Sequence, residues 1–337
     1  MIKLERRLMR RATLCSIVFA ATIPSPAFAC ACGCSIFDVG ASTVFPGQSE
    51  SGFTTWIRYA YMDQNKNWEG TSSARAADNA DKEIKTGFYF LGGQYMVNQD
   101  WGVMAELPYF RRALTTTDDG TVQGPAGSIY TAHDNALGDM VIQGMYTGFA
   151  ADMSTGVTFG LKLPTGDYTG PVGPLGGHEF DRDSLPGSGS TDLVLGAYHF
   201  GQLDKLGLWN YFVQGRYQFA VATRNDYRPG NFLDAALGLS YDFGAVGGAQ
   251  KVAPVIQALS SNRQRDSGTN SDAMNSGYNR LLLAPGISML IGKLRIYGDF
   301  ELPVYQRTNA ASSVNIEGTS GQLIASKIFK LQISYDF

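Results

Sequence analysis

From about residue 51 onward, apolar and polar positions alternate along segments of roughly ten to fifteen residues, and turn-forming residues separate these segments. A period of two is typical of β-strands that have one apolar face. The pattern predicts twelve strands. They lie near residues 52–63, 84–97, 101–114, 136–150, 155–164, 188–202, 207–222, 231–244, 251–262, 277–291, 293–307 and 321–337.

The connections between the predicted strands alternate between short turns and long polar loops. The long loops span residues 64–83, 115–135, 165–187, 263–276 and 308–320, and the loop at 223–230 is shorter. An even number of strands, with short turns at one end and long loops at the other, is the layout of an outer-membrane barrel. Closure of the barrel would leave no backbone group unpaired in lipid. The sequence therefore predicts an all-β protein, a transmembrane antiparallel up-and-down β-barrel of about twelve strands, located in the cell outer membrane.

Single strands show one apolar face and one polar face. On the strand near 207–222, Trp209 and Val213 alternate with Gln214 and Arg216. The apolar face is expected to meet lipid and the polar face to line the lumen.

The chain ends in KLQISYDF, in which Leu331, Ile333 and Tyr335 alternate with polar residues before the terminal Phe337. This ending resembles the signal by which barrels are handed to the outer-membrane assembly machinery. That machinery is therefore an expected partner.

Three prolines close to the upper ends of strands, Pro108, Pro164 and Pro303, lack the backbone donor that a sheet needs. Local breaks or bulges are expected at these positions. Such a break can open a lateral exit for apolar solutes or simply end the strand.

Residues 1–29 have the features of a cleaved secretory signal peptide: a basic head, a short apolar run, and small residues at Ala27 and Ala29. Because this segment holds five basic residues and one acidic residue, its removal changes the net charge from −3 to about −7. A negative chain does not favour nucleic acid as a partner. The content of 40 Gly, 17 Tyr and 19 Phe is typical of an all-β protein.

Residues 30–50 begin with CACGC and are expected to form a lead-in to the barrel on the periplasmic side, or a plug within it. Cys30, Cys32 and Cys34 could bind a soft metal, copper or zinc, if another ligand completed the site. The alternatives are a disulfide between Cys30 and Cys34, which would leave Cys32 for an intermolecular bond, and lipidation of Cys30. This segment could also contact a periplasmic partner.

The strand phase places a set of charged side chains in the lumen. The interior of a twelve-stranded barrel is only somewhat wider than side chains can fill. Such charges could therefore set what passes, or they could stabilise the wall as internal ion pairs. Asp139 and Asp192, near the outer rim, are the preferred candidates for a constriction. The predicted pore-lining residues are Arg58, Glu106, Asp139, Lys162, Asp192, Arg216, Arg280, Arg295, Asp299, Glu301 and Lys330.

Three stretches together resemble one family: ALGDMVIQGMYTGF (136–149), GLKLPTGDYTG (160–170) and LPGSGSTDLVLGAYHF (185–200). Their order and spacing are similar to signatures of the outer-membrane transporters named for the meta-pathway of phenol degradation, over residues 45–337. The resemblance implies a barrel of about twelve strands, distantly like fatty-acid and aromatic hydrocarbon channels, with transport as its function. The cysteine-rich start is not part of the family pattern.

The predicted function is an outer-membrane channel for the passive passage of small solutes, with aromatic or apolar solutes among the candidates. The alternative is a non-conducting binding or structural barrel whose cysteine-rich start binds copper or zinc or docks a periplasmic redox partner. Beyond that metal, no cofactor is expected.

Enzymatic activity is not expected from this sequence. The three histidines, His133, His178 and His199, form no His-x-Ser pair, and no Ser lies in a nucleophile-elbow context. His133 and His178 are expected in long outer loops, and His199 beside the aromatic belt. The acidic loops are expected to face lipopolysaccharide with its bridging cations, so outer-membrane lipid and lipopolysaccharide are the surrounding partners.

Overall fold

Long antiparallel strands make up most of the molecule. The computed structural model describes Gly40, residues 52–309 and residues 321–337. Among these residues, three short 3₁₀ helices occur in the long loops, at Ala76–Asp78, Arg182–Ser184 and Ala273–Asn275. In the described part of the chain, none of the helices has the length and apolar character needed to cross a bilayer. The strands are β1 (Gly52–Glu69), β2 (Ser72–Ser73), β3 (Asp81–Met96), β4 (Trp101–Thr117), β5 (Ile129–Leu137), β6 (Val141–Tyr146), β7 (Thr155–Lys162), β8 (Thr191–Gln202), β9 (Trp209–Ala222), β10 (Phe232–Tyr241), β11 (Lys251–Arg263), β12 (Tyr278–Ile291), β13 (Leu294–Thr308) and β14 (Gln322–Asp336).

The strands form a single antiparallel sheet that closes on itself. Neighbours along the chain pair with one another, and β14 pairs with β1 from Thr54 opposite Asp336 to Trp68 opposite Gln322. The two-residue β2 only extends the pairing at the end of β1. Both β5 and β6 pair with β4, so they are two parts of one barrel strand. The described residues therefore form a closed barrel of twelve strands, which confirms the predicted fold.

Several strands extend further toward the long loops than predicted. β1 continues to Glu69, β4 continues to Thr117, and β5 begins at Ile129. His133, expected in a loop, lies on β5 opposite Ala113. These boundaries were wrong because a strand above the lipid belt is not required to be apolar on its outer face, so the period-two pattern fades there.

The outer face carries an apolar belt flanked by aromatic rings. At the short-turn end the rings of Trp101 and Tyr146 lie 4.8 Å apart, and on the long-loop side those of Tyr59 and Tyr89 lie 5.0 Å apart. Aromatic girdles of this kind mark the two membrane interfaces, and the short turns of such barrels face the periplasm. Each barrel strand contributes an exposed apolar residue to the belt: Ile57, Leu91, Val103, Ile142, Phe159, Leu195, Val213, Leu237, Ile256, Leu283, Phe300 and Ile333.

Irregular pairing occurs at the prolines near the upper strand ends, as predicted. On β13 the pairing skips one residue, since Leu281 pairs with Tyr305 whereas Leu282 pairs with Pro303. Pro108 on β4 lies opposite the interruption between β5 and β6. A residue without a backbone donor is tolerated where the ladder is already broken.

Candidate functional site

A cluster of apolar side chains lines the middle of the lumen. Phe212 illustrates it: this side chain is 1 % exposed, whereas the adjacent Val213 faces lipid. The sequence predicted a polar inward face for this strand and missed Phe212, because three successive apolar residues, Tyr211 to Val213, hide the period of two. The cluster comprises Ala60, Met62, Phe88, Phe90, Phe212, Ala236, Val255, Leu259, Leu282, Ala284, Tyr297, Ala325 and Ile328, with Phe110 and Phe200 packed against it.

A cavity of about 180 Å³ lies on the long-loop side of this cluster. Three aromatic rings of the cluster, Phe88, Phe90 and Phe110, contribute one wall. Charged side chains at the upper strand ends contribute the other walls. Of the residues predicted to line the pore, Glu106, Asp139, Lys162, Asp192 and Arg216 line this upper cavity.

One ammonium group joins the two carboxylates that were predicted at the rim. Lys162 Nζ lies 3.2 Å from Asp139 Oδ2 and 2.9 Å from Asp192 Oδ2. The hydroxyl of Ser188 lies between these groups, and the Ser188 N–H donates to Asp139 Oδ2 at 2.8 Å. Gln218 Nε2 donates to Asp192 Oδ2 at 2.6 Å. Asp139 and Asp192 therefore share a cation within a buried hydrogen-bond network.

This network lies where the barrel wall is interrupted. Residues 138–140 separate β5 from β6, and β7 ends at Lys162, so β5 pairs with β4 alone. The loop after β7 returns across the gap. The Asp167 N–H donates to the Leu137 carbonyl at 3.2 Å, and the Gly187 N–H donates to the Asp167 carbonyl at 2.6 Å. Loop backbone therefore covers the side of the barrel at this point.

Two ion pairs lie beside the apolar cluster. Arg58 Nη2 is 2.6 Å from Glu106 Oε1, and the Arg58 guanidinium carbon lies 4.3 Å from the centre of the Phe90 ring. Lys330 Nζ is 2.7 Å from Glu301 Oε1, and these two side chains are 1 % and 0 % exposed. Buried charges of opposite sign in contact stabilise the inner wall far better than either charge would alone.

Two further predicted lumen residues are held by tyrosines. Asp299 accepts hydrogen bonds from Gln257 Nε2 at 2.8 Å and from the Tyr297 hydroxyl at 2.6 Å. Arg280 Nη2 donates to the Tyr278 hydroxyl at 3.0 Å, and its guanidinium lies 4.1 Å from the centre of that ring. Hydrogen bonds and ring contacts therefore hold both charges against the wall.

A second cavity, of about 420 Å³, lies on the short-turn side of the cluster. Phe200, Val255 and Tyr297 contribute to its upper wall. Arg295, the last of the predicted lumen residues, lines its side. Because aromatic and aliphatic side chains of one cluster line both cavities, the apolar cluster separates an upper cavity from a lower one.

Gly40 lies inside the barrel. Its N–H donates to Gln214 Oε1 at 2.9 Å, and a Cβ added there would lie 2.7 Å from Gln257 Oε1 and 3.1 Å from the Leu259 side chain. A side chain at position 40 would therefore require lumen side chains of β11 to move.

The predicted signal peptide (1–29) lies outside the described residues. So does the rest of the 30–50 segment, including Cys30, Cys32 and Cys34. In the part of the chain that the structure describes, no group of three or more His, Cys, Asp or Glu side chains is arranged to hold a metal ion. The alternative function of a metal-binding barrel gains no support from the described residues.

Carboxylates crowd together in the long loops, outside the membrane. Burial raises the pKa of Asp81 to about 7, a hydrogen bond from Thr116 opposes this shift, and the nearby Asp183 adds to it. Burial and the charge of Asp81 also raise the pKa of Asp181 well above its ordinary value. These loops therefore lose negative charge as the pH falls below neutral.

His199 lies at the low end of β8. Its Nδ1 is 2.8 Å from Thr155 Oγ1, its Nε2 is 2.9 Å from the Tyr211 hydroxyl, and its ring centre is 5.6 Å from that of Tyr211. The imidazole therefore lies beside an aromatic ring of the belt, as predicted, and both ring nitrogens have hydroxyl partners.

No protein-family model and no curated protein matches the chain. Among solved structures, an outer-membrane channel from Pseudomonas putida F1 superposes with a TM-score of 0.60 at 12 % identity, over 90 % of this chain and 100 % of that chain. The β domain of a Bordetella autotransporter superposes with a TM-score of 0.49 at 14 % identity, over 85 % of this chain and 100 % of that chain. The toluene transporter of Ralstonia pickettii superposes with a TM-score of 0.41 at 11 % identity, over 89 % of this chain and 94 % of that chain. The resemblance to the phenol meta-pathway transporters stays a prediction from the sequence. The chain has the fold of an outer-membrane β-barrel, and the outer membrane is its location.

Proposed function

We propose that this protein is an outer-membrane channel for the passive entry of small, largely apolar solutes, including aromatic hydrocarbons. The observation that carries the proposal is the apolar cluster that lies between the two cavities of the lumen. Channels for hydrophilic solutes keep a polar, water-filled interior. An apolar middle section favours solutes whose transfer out of water costs little free energy.

The aromatic side chains of the upper cavity suit a flat solute. The Phe88 and Phe110 rings lie 5.3 Å apart at 82°, and the Phe90 and Phe110 rings lie 6.4 Å apart at 79°. Edge-to-face arrangements of this kind are favourable between aromatic rings. A solute ring that enters the upper cavity would extend the same arrangement.

The charges near the cluster do not oppose this route. Arg58 is paired with Glu106, and Lys330 is paired with Glu301. A neutral solute that passes such a pair does not have to strip water from an isolated ion, which would be costly. The paired charges therefore support the wall while the apolar side chains provide the path.

The test is the initial rate at which intact cells that produce the barrel take up radiolabelled toluene. We expect Phe212→Asp, which places a carboxylate within the cluster, to reduce the rate to that of cells without the protein. Phe212→Ala keeps the path apolar and should retain uptake. Leu175→Asp, a similar change at an exposed loop position, is the matched control and should have no effect.

Each variant must first show heat-dependent migration on a gel, which reports a folded barrel. Toluene uptake that is the same with and without the unsubstituted protein would disprove the proposed function. Uptake through a folded Phe212→Asp barrel at the unsubstituted rate would show that the apolar cluster is not the path.

A further inference from the structure

The lower cavity contains an arginine that makes no ion pair with any of the described residues. Arg295, near the start of β13, lines the cavity of about 420 Å³. Within the described residues its guanidinium makes no salt bridge and no hydrogen bond, and its Nε is buried without an acceptor. The carboxylate whose charge acts on Arg295 is Asp336, which instead accepts a hydrogen bond from Thr54 Oγ1 at 2.6 Å. An arginine enclosed in this way favours the arrival of an anion.

In the part of the chain that the structure describes, the other charged side chains of the lower cavity make no salt bridge with Arg295. Lys251 also lines the cavity, but its Nζ lies 2.8 Å from Asp242 Oδ2, which neutralises it. Asp152 lies in the turn after β6 and accepts a hydrogen bond from the Ser154 N–H at 3.1 Å. Within the described residues Asp152 makes no salt bridge with Arg295, so the guanidinium remains available to a single anionic group such as a carboxylate; a phosphate dianion would need a second available cation.

The surroundings of Arg295 combine donors with apolar surface. Ser334, directly opposite Arg295 on β14, and Ser288 on β12 provide hydroxyl groups in the cavity wall. Val255 and Tyr297 provide apolar surface from the central cluster. The lower cavity therefore has both polar and apolar walls, and its volume lies within the range of roughly 300–1,000 Å³ that is typical of small-molecule sites.

We propose that the lower cavity is a binding subsite for a small apolar carboxylate. The carboxylate pairs with the guanidinium of Arg295, and the hydrocarbon part lies against the apolar cluster. Arginine is suited to this role because its planar fork matches both oxygens of a carboxylate. The inference rests on the proposed function and extends it, since it adds apolar acids to the solutes that the channel accepts.

The test is isothermal titration calorimetry on the purified barrel in detergent, with two probes of the same shape, phenylacetate and its neutral analogue phenylacetamide. Arg295→Gln is expected to weaken the binding of phenylacetate at least tenfold and to leave phenylacetamide unchanged. Arg295→Lys, which keeps the charge without the planar fork, should bind phenylacetate with intermediate affinity. Lys293→Gln removes the same charge from the neighbouring turn, outside the cavity, and should change neither probe.

A second measurement does not depend on any substitution. Raising the salt concentration should weaken the binding of phenylacetate to the unsubstituted barrel and leave that of phenylacetamide unaffected, because ions screen the charge. The inference is overturned if phenylacetate binds Arg295→Gln as tightly as it binds the unsubstituted protein, or if both probes weaken together. Toluene uptake is measured separately. Normal toluene uptake together with either of these calorimetric results would disprove only the carboxylate subsite. Absence of toluene uptake would disprove the channel function itself.

Discussion

At the scale of single residues, Lys162 shows how a buried cation organises its surroundings. Its ammonium group contacts Asp139 and Asp192, and the side chains of these two aspartates are only 6 % and 2 % exposed. Ser188 and Gln218 supply further hydrogen bonds to the same carboxylates. With two carboxylates and one ammonium, the group carries a net negative charge at the mouth of the upper cavity.

We expect Asp139→Asn combined with Asp192→Asn to shift the ion preference of the reconstituted barrel severalfold toward anions. The substitutions remove two negative charges and leave the ammonium of Lys162 uncompensated, so the upper cavity becomes positive. The measurement is the reversal potential across a planar bilayer under a salt gradient. Asp119→Asn with Asp226→Asn, at two exposed loop positions, is the matched control. An unchanged reversal potential in the first variant would show that neither carboxylate influences the passage of ions.

At the scale of strands and loops, the interrupted strand is held by glycines in close contact. A Cβ added to Gly166 would lie 2.7 Å from the carbonyl carbon of Gly138 and 2.8 Å from the Cα of Gly187. The Gly166 N–H also donates to Asp139 Oδ1 at 3.0 Å. Three backbone segments therefore meet without side chains between them, which is what allows the loop to cover the gap beside β5.

Gly166→Ala is expected to destabilise the docked loop by about 1–3 kcal/mol, since the added methyl group meets backbone atoms that cannot move independently. Hydrogen exchange should then be faster at residues 138–140 and 163–167, while the rest of the barrel keeps its protection. Gly215→Ala is the control, because a Cβ at that position meets no atom within 4 Å. Equal protection in the two variants would show that close backbone contact does not hold the loop.

At the scale of the whole molecule, the barrel depends on the pairing of its last strand with its first. The Phe337 N–H donates to the Phe53 carbonyl at 2.9 Å, and the Phe337 ring lies 5.5 Å from that of Phe53 and 5.0 Å from that of Tyr335. The terminal residue therefore contributes to the seam and to the aromatic girdle. An unpaired seam would expose backbone groups to lipid.

Deletion of Phe337 is expected to lower the amount of folded barrel in the outer membrane severalfold, because it removes a seam hydrogen bond and the terminal aromatic ring. The measurement is the fraction of heat-modifiable protein in outer-membrane preparations. Phe337→Tyr keeps the ring and should assemble normally. Phe243→Ala removes an exposed ring from a periplasmic turn and should also assemble. Normal assembly of the deletion variant would contradict the role given to the C-terminus.

The sequence by itself determined the class of fold, the number of barrel strands and the lipid-facing residues. Lipid imposes a strict requirement on each membrane strand, so outward positions such as Ile57, Phe159 and Ile333 must be apolar, and the pattern is visible without a structure. The alternation along the strands also predicted that Arg58 and Glu301 lie on the inward face, where both are buried. The irregular pairing at Pro303 was equally predictable, since proline lacks a donor.

Only the tertiary structure decided what the lumen is like. Inward side chains from strands far apart in sequence meet at the centre of the lumen. No local sequence pattern predicts that Phe90 and Phe212 belong to one cluster. Lys162 and Asp192 form an ion pair although 29 residues separate them, because β7 and β8 pair in register. That Arg295 forms no ion pair among the described residues is likewise a property of the closed barrel, since the partners of a charge depend on what surrounds it in space.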